Sequence, residues 1–410
     1  MLACFTQLGM LLVVPTDFSS CLSEFNTKSK IPPSQLEWCG GDSVVLYWEM
    51  MKMVLMVGPN GSWLKYQFDE PIYLVPELDG IRILSSRLCE YLQKVPDTTE
   101  DIFRIASTAP SALLFEAYKN FEKKNPKADE MLRSIKKEGR LSKAIDECIE
   151  AASFEFDINR QRKLLNAASY GKSFLDEYNP DFFVETCRKM RVLNDIRRYS
   201  IGIPLTSKQF DELTPNVLVD RLSNRHHHFL AFRICEYLNL KTNKVLVHWA
   251  CAKVKTKNLD IRDLEIKESI VNKLSSLPGI SYIEIASTAH KYGRPNLARD
   301  LLDYEPKAGD QVPLLLKMKE ESHALAKAVD CGDTDLVYMV ILFMQKNRSL
   351  QSFFEGLGNK RLAYDLLISY CKEKDHELLK YVYSHLDMPY EAVKTFIIQS
   401  IFYLFFFRVI

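Results

Sequence analysis

Two spacings of apolar residues divide this chain, and the change falls near Val95-Pro96-Asp97. Upstream, Val44-Val45-Leu46-Tyr47-Trp48, Val54-Leu55-Met56-Val57 and Ile81-Arg82-Ile83-Leu84 are β-branched or aromatic runs. Gly58-Pro59-Asn60-Gly61 and Asp79-Gly80 lie between such runs, and their residues suit tight turns, so the pattern predicts antiparallel hairpins. Downstream, apolar residues recur at three and four, with Pro and Gly between the runs, which predicts helices. Leu114, Ala117 and Phe121 share one stripe. Met131 and Ile135, then Leu141, Ala144, Ile145, Cys148 and Ile149, make the next two, with Lys136-Lys137-Glu138 left outside.

The helix starts are also marked. Asp97-Thr98-Thr99-Glu100 and Thr206-Ser207-Lys208-Gln209 fit or approximate a capping box, and Thr214-Pro215 puts a cap residue before a proline at the first helical position. Four segments share one template: Gly139 to Ala144, Gly293 to Ala298, Gly332 to Val337 and Gly358 to Ala363. Each has a small residue five after the glycine. Leu301-Leu302, Val340-Ile341 and Leu366-Leu367 follow the last three at matching offsets. Glycine suits a left-handed turn that ends one helix, and the small residue lets the next helix pack closely on its partner. A helical hairpin cannot bury its apolar face alone, so neighbours must stack, and the template predicts an α-solenoid.

Composition narrows the function. A chain of 410 residues that is 47% hydrophobic is not disordered, and 54 basic against 53 acidic residues leave +1, too little for a long-range field toward nucleic acid or acidic lipid. The ten cysteines contain no Cys-x-x-Cys pair, so they read as buried free thiols of a reducing cytosol. Met1 to Val14 is apolar but has no basic flank, and no small-residue cleavage site follows, so a secretory signal is not predicted. The stretch from Phe396 to Phe407 is very apolar, yet crossing a bilayer takes about 20 such residues.

Two motifs imitate chemistry. Tyr170-Gly171-Lys172-Ser173 looks like the tail of a phosphate-binding loop, the only ground for a nucleotide-enzyme or hydrolase reading; but Asn166 stands where that loop needs glycine, and Lys163 to Ala168 is helical where a strand is required. His226-His227-His228 looks like a metal cluster, but successive helical side chains point about 100° apart and cannot all face one ion. No Gly-x-Ser-x-Gly or His-Glu-x-x-His motif is present. The reading assigns no catalytic, cofactor-binding or metal residues.

Leu74 to Leu84 resembles the final propeller strands of the family of vacuolar protein sorting-associated protein 16. Ile102 to Ser107, Arg191 to Asn194, Ile201 to Leu205, His248 to Cys251, Tyr304 to Pro306, Gln311 to Lys317 and Gly332 to Val337 are similar to stretches of that family in the same order, over roughly residues 13 to 390. The resemblance implies a mainly α chain, an α-solenoid of stacked helical hairpins over 96–390 preceded by a remnant of a β-propeller over 1–95, with an atypical apolar tail at 391–410. It further implies a non-enzymatic scaffold without cofactors in the HOPS and CORVET tethering complexes, peripheral to late endosome and vacuole or lysosome membranes. The implied partners are the other subunits of those complexes and an SM-family SNARE chaperone, with no nucleic acid. The family is longer at both ends, so the chain reads as a truncated form that lacks the SM-binding part and ends in translated intron. No partner-binding residue is carried over. A generic propeller-solenoid coat or cargo adaptor is the alternative. A remnant sheet with unpaired edges is expected to be the less stable part.

Overall fold

The computed structural model describes residues 1–256, 263–275, 277, 279–395 and 397. Of the apolar tail read from the sequence at 391–410, residues 391–395 and 397 are described and the rest lies outside the described residues. Two compact units divide the chain, Met1–Leu218 and Val219–Ile410.

The first unit opens with three antiparallel sheets. The first has β1 (Leu2–Phe5), β2 (Met10–Val14) and β3 (Ser23–Asn26), in that order. The second is a meander of β4 (Gln35–Cys39), β5 (Ser43–Trp48), β6 (Met53–Val57) and β7 (Trp63–Gln67), the four-stranded form of a propeller blade. β8 (Tyr73–Pro76), β9 (Ile81–Leu84) and β10 (Cys89–Leu92) form the third, with β9 in the middle. The apolar run in β5 has a simple cause, because both faces of this strand are covered. Val45 and Tyr47 join Val54, Met56, Ile72, Leu74, Ile81 and Ile83 in one core; Val44, Leu46 and Trp48 join Leu11, Leu55 and Val57 in another. The period-two alternation thus assigns successive residues of one strand to different cores. Gly58 to Gly61 forms the β6–β7 turn, with the Gly58 N–H donating to the Ser62 carbonyl at 2.8 Å.

Eight helices follow, the last of which contains the division between units: α1 (Asp97–Phe103), α2 (Pro110–Glu122), α3 (Lys127–Lys137), α4 (Leu141–Phe154), α5 (Ile158–Lys172), α6 (Asp181–Ile196), α7 (Ser207–Leu213) and α8 (Pro215–Asn224). Leu114, Ala144, Ile145, Cys148, Leu164, Ala167 and Ala168 form the centre of their core. The stripe expected on α2 ends early. Phe121 is 56% exposed and rests on the Tyr170 ring, with centroids 4.7 Å apart. The capping box expected at Asp97 to Glu100 is not made: Pro96 is the N-cap, and Asp97 is already helical. At Thr206 the full box forms, and Pro215 opens α8 as expected.

The second unit carries α9 (His228–Tyr237), α10 (Asn243–Lys255), α11 (Asp263–Leu274), α12 (Ile283–Lys291), α13 (Pro295–Leu302), α14 (Ala308–Lys317), α15 (Glu321–Cys331), α16 (Thr334–Asn347), α17 (Leu350–Leu357), α18 (Arg361–Lys374) and α19 (His376–His385). One continuous apolar core runs from Ala250 to Tyr383 along these helices, as stacked hairpins require. The chain is therefore a helical solenoid preceded by part of a β-propeller.

The glycine template explains the stacking. Gly139, Gly293, Gly332 and Gly358 all have positive φ, at 66°, 77°, 72° and 54°. The small residue five positions later, Ala144, Ala298, Val337 or Ala363, is wholly buried in each case. After α12 the Arg294 N–H reaches back to the Ala289 carbonyl at 3.0 Å, the six-to-one bond of a Schellman turn. Gly358 pairs φ 54° with ψ −150°, a region that glycine alone enters readily. A Cβ at Gly293 or Gly358 would meet nothing within 4 Å, so the cost of a side chain there is in the backbone. Gly358→Val is expected to destabilise the second unit by about 1 to 3 kcal/mol, and Gly293→Val by the lower part of that range. Thermal melting checks this, and unchanged melting of both variants would remove the turn assignment.

Candidate functional site

The sequence motifs that imitate chemistry are used for packing. Gly171 sits inside the last turn of α5 and not after the helix end. A Cβ at this position would stand 3.0 Å from side-chain atoms of Leu114 and Ile145. The glycine therefore lets α5 approach α2 and α4 closely, and its N–H belongs to a helix, not to a phosphate cradle. His226 has positive φ in a turn, His227 caps α9 and His228 is its first residue. The three side chains do not converge; His228 instead meets His248 of α10, with Nε2 and Nδ1 2.9 Å apart. Among the described residues no group of three or more His, Cys, Asp or Glu side chains is placed to hold a metal ion.

The thiols separate by burial. Cys39, Cys148, Cys235, Cys251 and Cys371 are buried, whereas Cys4, Cys21, Cys89 and Cys331 are exposed. Desolvation pushes the Cys39 thiol up to about 11 and those of Cys148 and Cys371 up to about 12, so all three stay protonated and unreactive in the folded chain.

A polar cluster of the first unit joins a β-hairpin to a helix start. The β8–β9 turn presents two carboxylates, Glu77 and Asp79, toward Thr206 and Gln209 at the head of α7. Thr206 Oγ1 accepts from the Gln209 N–H at 3.2 Å, while Gln209 Oε1 accepts from the Thr206 N–H at 3.2 Å, completing the box. The free ends of both side chains then turn to the hairpin. Thr206 Oγ1 donates to Asp79 Oδ2 at 2.7 Å, and Gln209 Nε2 donates to Glu77 Oε2 at 2.6 Å and to Asp79 Oδ1 at 3.0 Å. Tyr91 of β10 closes the ring, since its hydroxyl donates to Asp79 Oδ1 at 2.5 Å and accepts from Gln209 Nε2 at 3.0 Å.

Arg82 of β9 adds the cation. Its Nε and Nη2 donate to Glu77 Oε1 and Oε2 at 2.5 and 2.9 Å, a bidentate fork, and Nη2 also reaches the Pro204 carbonyl at 3.3 Å. The Glu77 hydrogen bond raises the Arg82 pKa against burial; burial first and Asp79 second raise that of Tyr91. Both side chains therefore act here as fixed donors across the physiological range. Gly80 makes the approach possible, because a Cβ there would lie 2.6 Å from both the Leu92 carbonyl oxygen and the Tyr91 hydroxyl. Opposite, Arg197 lies 3.9 Å over the Phe156 ring and donates to the Leu205 carbonyl at 2.9 Å, which holds the loop leading into α7.

The sequence predicts a turn at Asp79-Gly80 and a capping box at Thr206 to Gln209, and neither pattern shows that the two meet. The one available signal was an excess of polar capacity, with two carboxylates in a hairpin turn and a box whose side chains retain unused donors.

No helix among the described residues is long and apolar enough to cross a membrane. The chain is similar to known proteins over almost its whole length. Residues 1–185 match the family model described as "Vps16, N-terminal region", and residues 280–402 that described as "Vps16, C-terminal region". The vacuolar protein sorting-associated protein 16 homolog of Dictyostelium discoideum is 46% identical over 404 residues, covering 98% of this chain and 48% of that relative. Protein VACUOLELESS1 of Arabidopsis thaliana is 46% identical over 379 residues, 92% of this chain and 44% of that relative. Vacuolar protein sorting-associated protein 16 of Saccharomyces cerevisiae is 29% identical over 338 residues, 80% of this chain and 41% of that relative. The chain spans about half the length of the curated relatives it matches.

Proposed function

From the premise that the chain belongs to the Vps16 family, we propose that it is a non-enzymatic scaffold in vacuolar protein sorting, a subunit of the HOPS and CORVET membrane-tethering complexes. The observation that carries this reading is the 46% identity to two relatives named for the vacuole, over 98% and 92% of the chain. The physical form agrees with the role. A stack of hairpins offers a long surface, and a polar joint fixes the hairpin to the helix start, so that geometry rather than reactivity is what the fold supplies. In this reading the chain works beside the other subunits of those complexes, held to late endosome and vacuole or lysosome membranes through its partners, and the SM-family SNARE chaperone is a partner of the full-length family.

Affinity purification of the tagged chain from cells depleted of their own Vps16-family protein tests the proposal. Subunits of the tethering complexes should co-purify in fixed ratio and survive moderate salt. Recovery of clathrin or cargo tails with no tethering subunit would overturn it in favour of a coat adaptor.

A further inference from the structure

The ring centroids of His228 and His248 are 5.2 Å apart, close to the 2.9 Å between Nε2 and Nδ1 plus two ring radii. The two nitrogens therefore point at each other almost along the line of centres. This is the geometry of an N–H···N hydrogen bond; two ligands of one tetrahedral ion would aim their lone pairs at a point off that line. One nitrogen donates and the other accepts, so at least one ring is neutral. A third ring, His226, lies 5.6 Å from His228 and 6.2 Å from His248, centroid to centroid.

We propose that His228 and His248 form a proton-sensitive clasp, which ties the first turn of α9 to α10 while one proton lies between the rings and releases it when both rings are charged. Its position gives it leverage. Phe229 is 78% exposed, and the first fully buried residue of α9 is Ala231, whereas α10 is anchored by Val245, Ala250, Cys251 and Val254. The start of α9 thus has little apolar burial to hold it once the rings repel.

The surrounding charges act in both directions. Burial, followed by His248, His226 and His227, lowers the His228 pKa from 6.5. Burial also lowers that of His248, aided by His226 and by Lys255 of α10, while Glu284 of α12 and Asp220 of α8 oppose it. Folded values below 6.5 mean that the unfolded chain binds more protons as pH falls through that point. The stabilisation is therefore complete above 6.5 and is lost as pH drops toward the folded values.

Hydrogen exchange of the full chain, corrected for intrinsic rates, tests the clasp. Between about pH 7.5 and about pH 5.5, amides at the start of α9 should open about tenfold or more, since each pH unit carries up to a tenfold change per proton. His248→Gln and His228→Gln should each weaken that dependence clearly while the protection of α12 to α16 is retained. A wild-type α9 that is indifferent to pH, or a dependence that survives undiminished in both variants, would overturn the proposal. So would a gain of α9 protection on adding equimolar Zn²⁺ alone, which would make the pair a metal site.

Discussion

Asp79→Ala is expected to loosen the joint between the β8–β9 hairpin and α7, at a cost of about 2 to 4 kcal/mol. The carboxylate accepts from Tyr91, Gln93, Thr206 and Gln209. Its removal leaves these donors facing a partly buried space, and the cost of unpartnered donors exceeds the net worth of the bonds themselves. Hydrogen exchange should show faster opening of β8, β9 and the first turn of α7 together. A double-mutant cycle with Gln209→Ala isolates the joint, because coupled partners in one network should interact by about 1 kcal/mol or more. Strict additivity of the two changes would mean that the hairpin and the helix are held by something else.

Trp48→Ala should be costlier still, about 3 to 5 kcal/mol, because a large side chain leaves a void that the surrounding strands fill only in part. Trp48 is 2% exposed, packs edge-on to Phe5 at 6.4 Å and donates from Nε1 to the Ile31 carbonyl at 2.8 Å. It is thus one of the residues that join the first sheet to the second, with Val44, Leu46, Leu55 and Val57 beside it in the same core. Trp48→Phe should recover most of the packing and still lose the hydrogen bond, falling between the two. Chemical denaturation followed by exchange in β1 to β3 measures both variants; an alanine variant with wild-type protection there would show that the first sheet does not depend on this contact. The two apolar cores and the α7 joint also set limits on the expected weakness of the sheets. Exchange should be fastest at the edge strands β1 and β7, the second of which leaves Trp63 and Leu64 56% and 57% exposed, and slowest in the covered β5 and β6.

What could be read from the chain depended on how far apart the interacting residues lie. The repeat glycines were legible because a left-handed turn is a local demand, satisfied by the residue that carries it. The strands β5 and β6 were legible for the same reason, their apolar runs being as long as the strands. Asp79 and Gln209 lie 130 residues apart, and nothing local to either announces the other. His248 is likewise remote from the histidine run, which concealed the hydrogen bond between it and His228. The missed cap at Asp97 has a different origin. Proline at position 96 already holds the extended backbone that an N-cap needs, with φ −61° and ψ 144°, so the helix starts one residue earlier than the side-chain pattern suggests.

The buried thiols turn the protein into its own pair of clocks. Cys148 lies in the helical core of the first unit and Cys371 in that of the second, both completely shielded from solvent. A thiol reagent will consume Cys4, Cys21, Cys89 and Cys331 at once, reach the half-buried Cys187 more slowly, and must then wait. The later labelling of Cys148 and of Cys371 times the opening of each unit separately, without any label having been engineered into the chain.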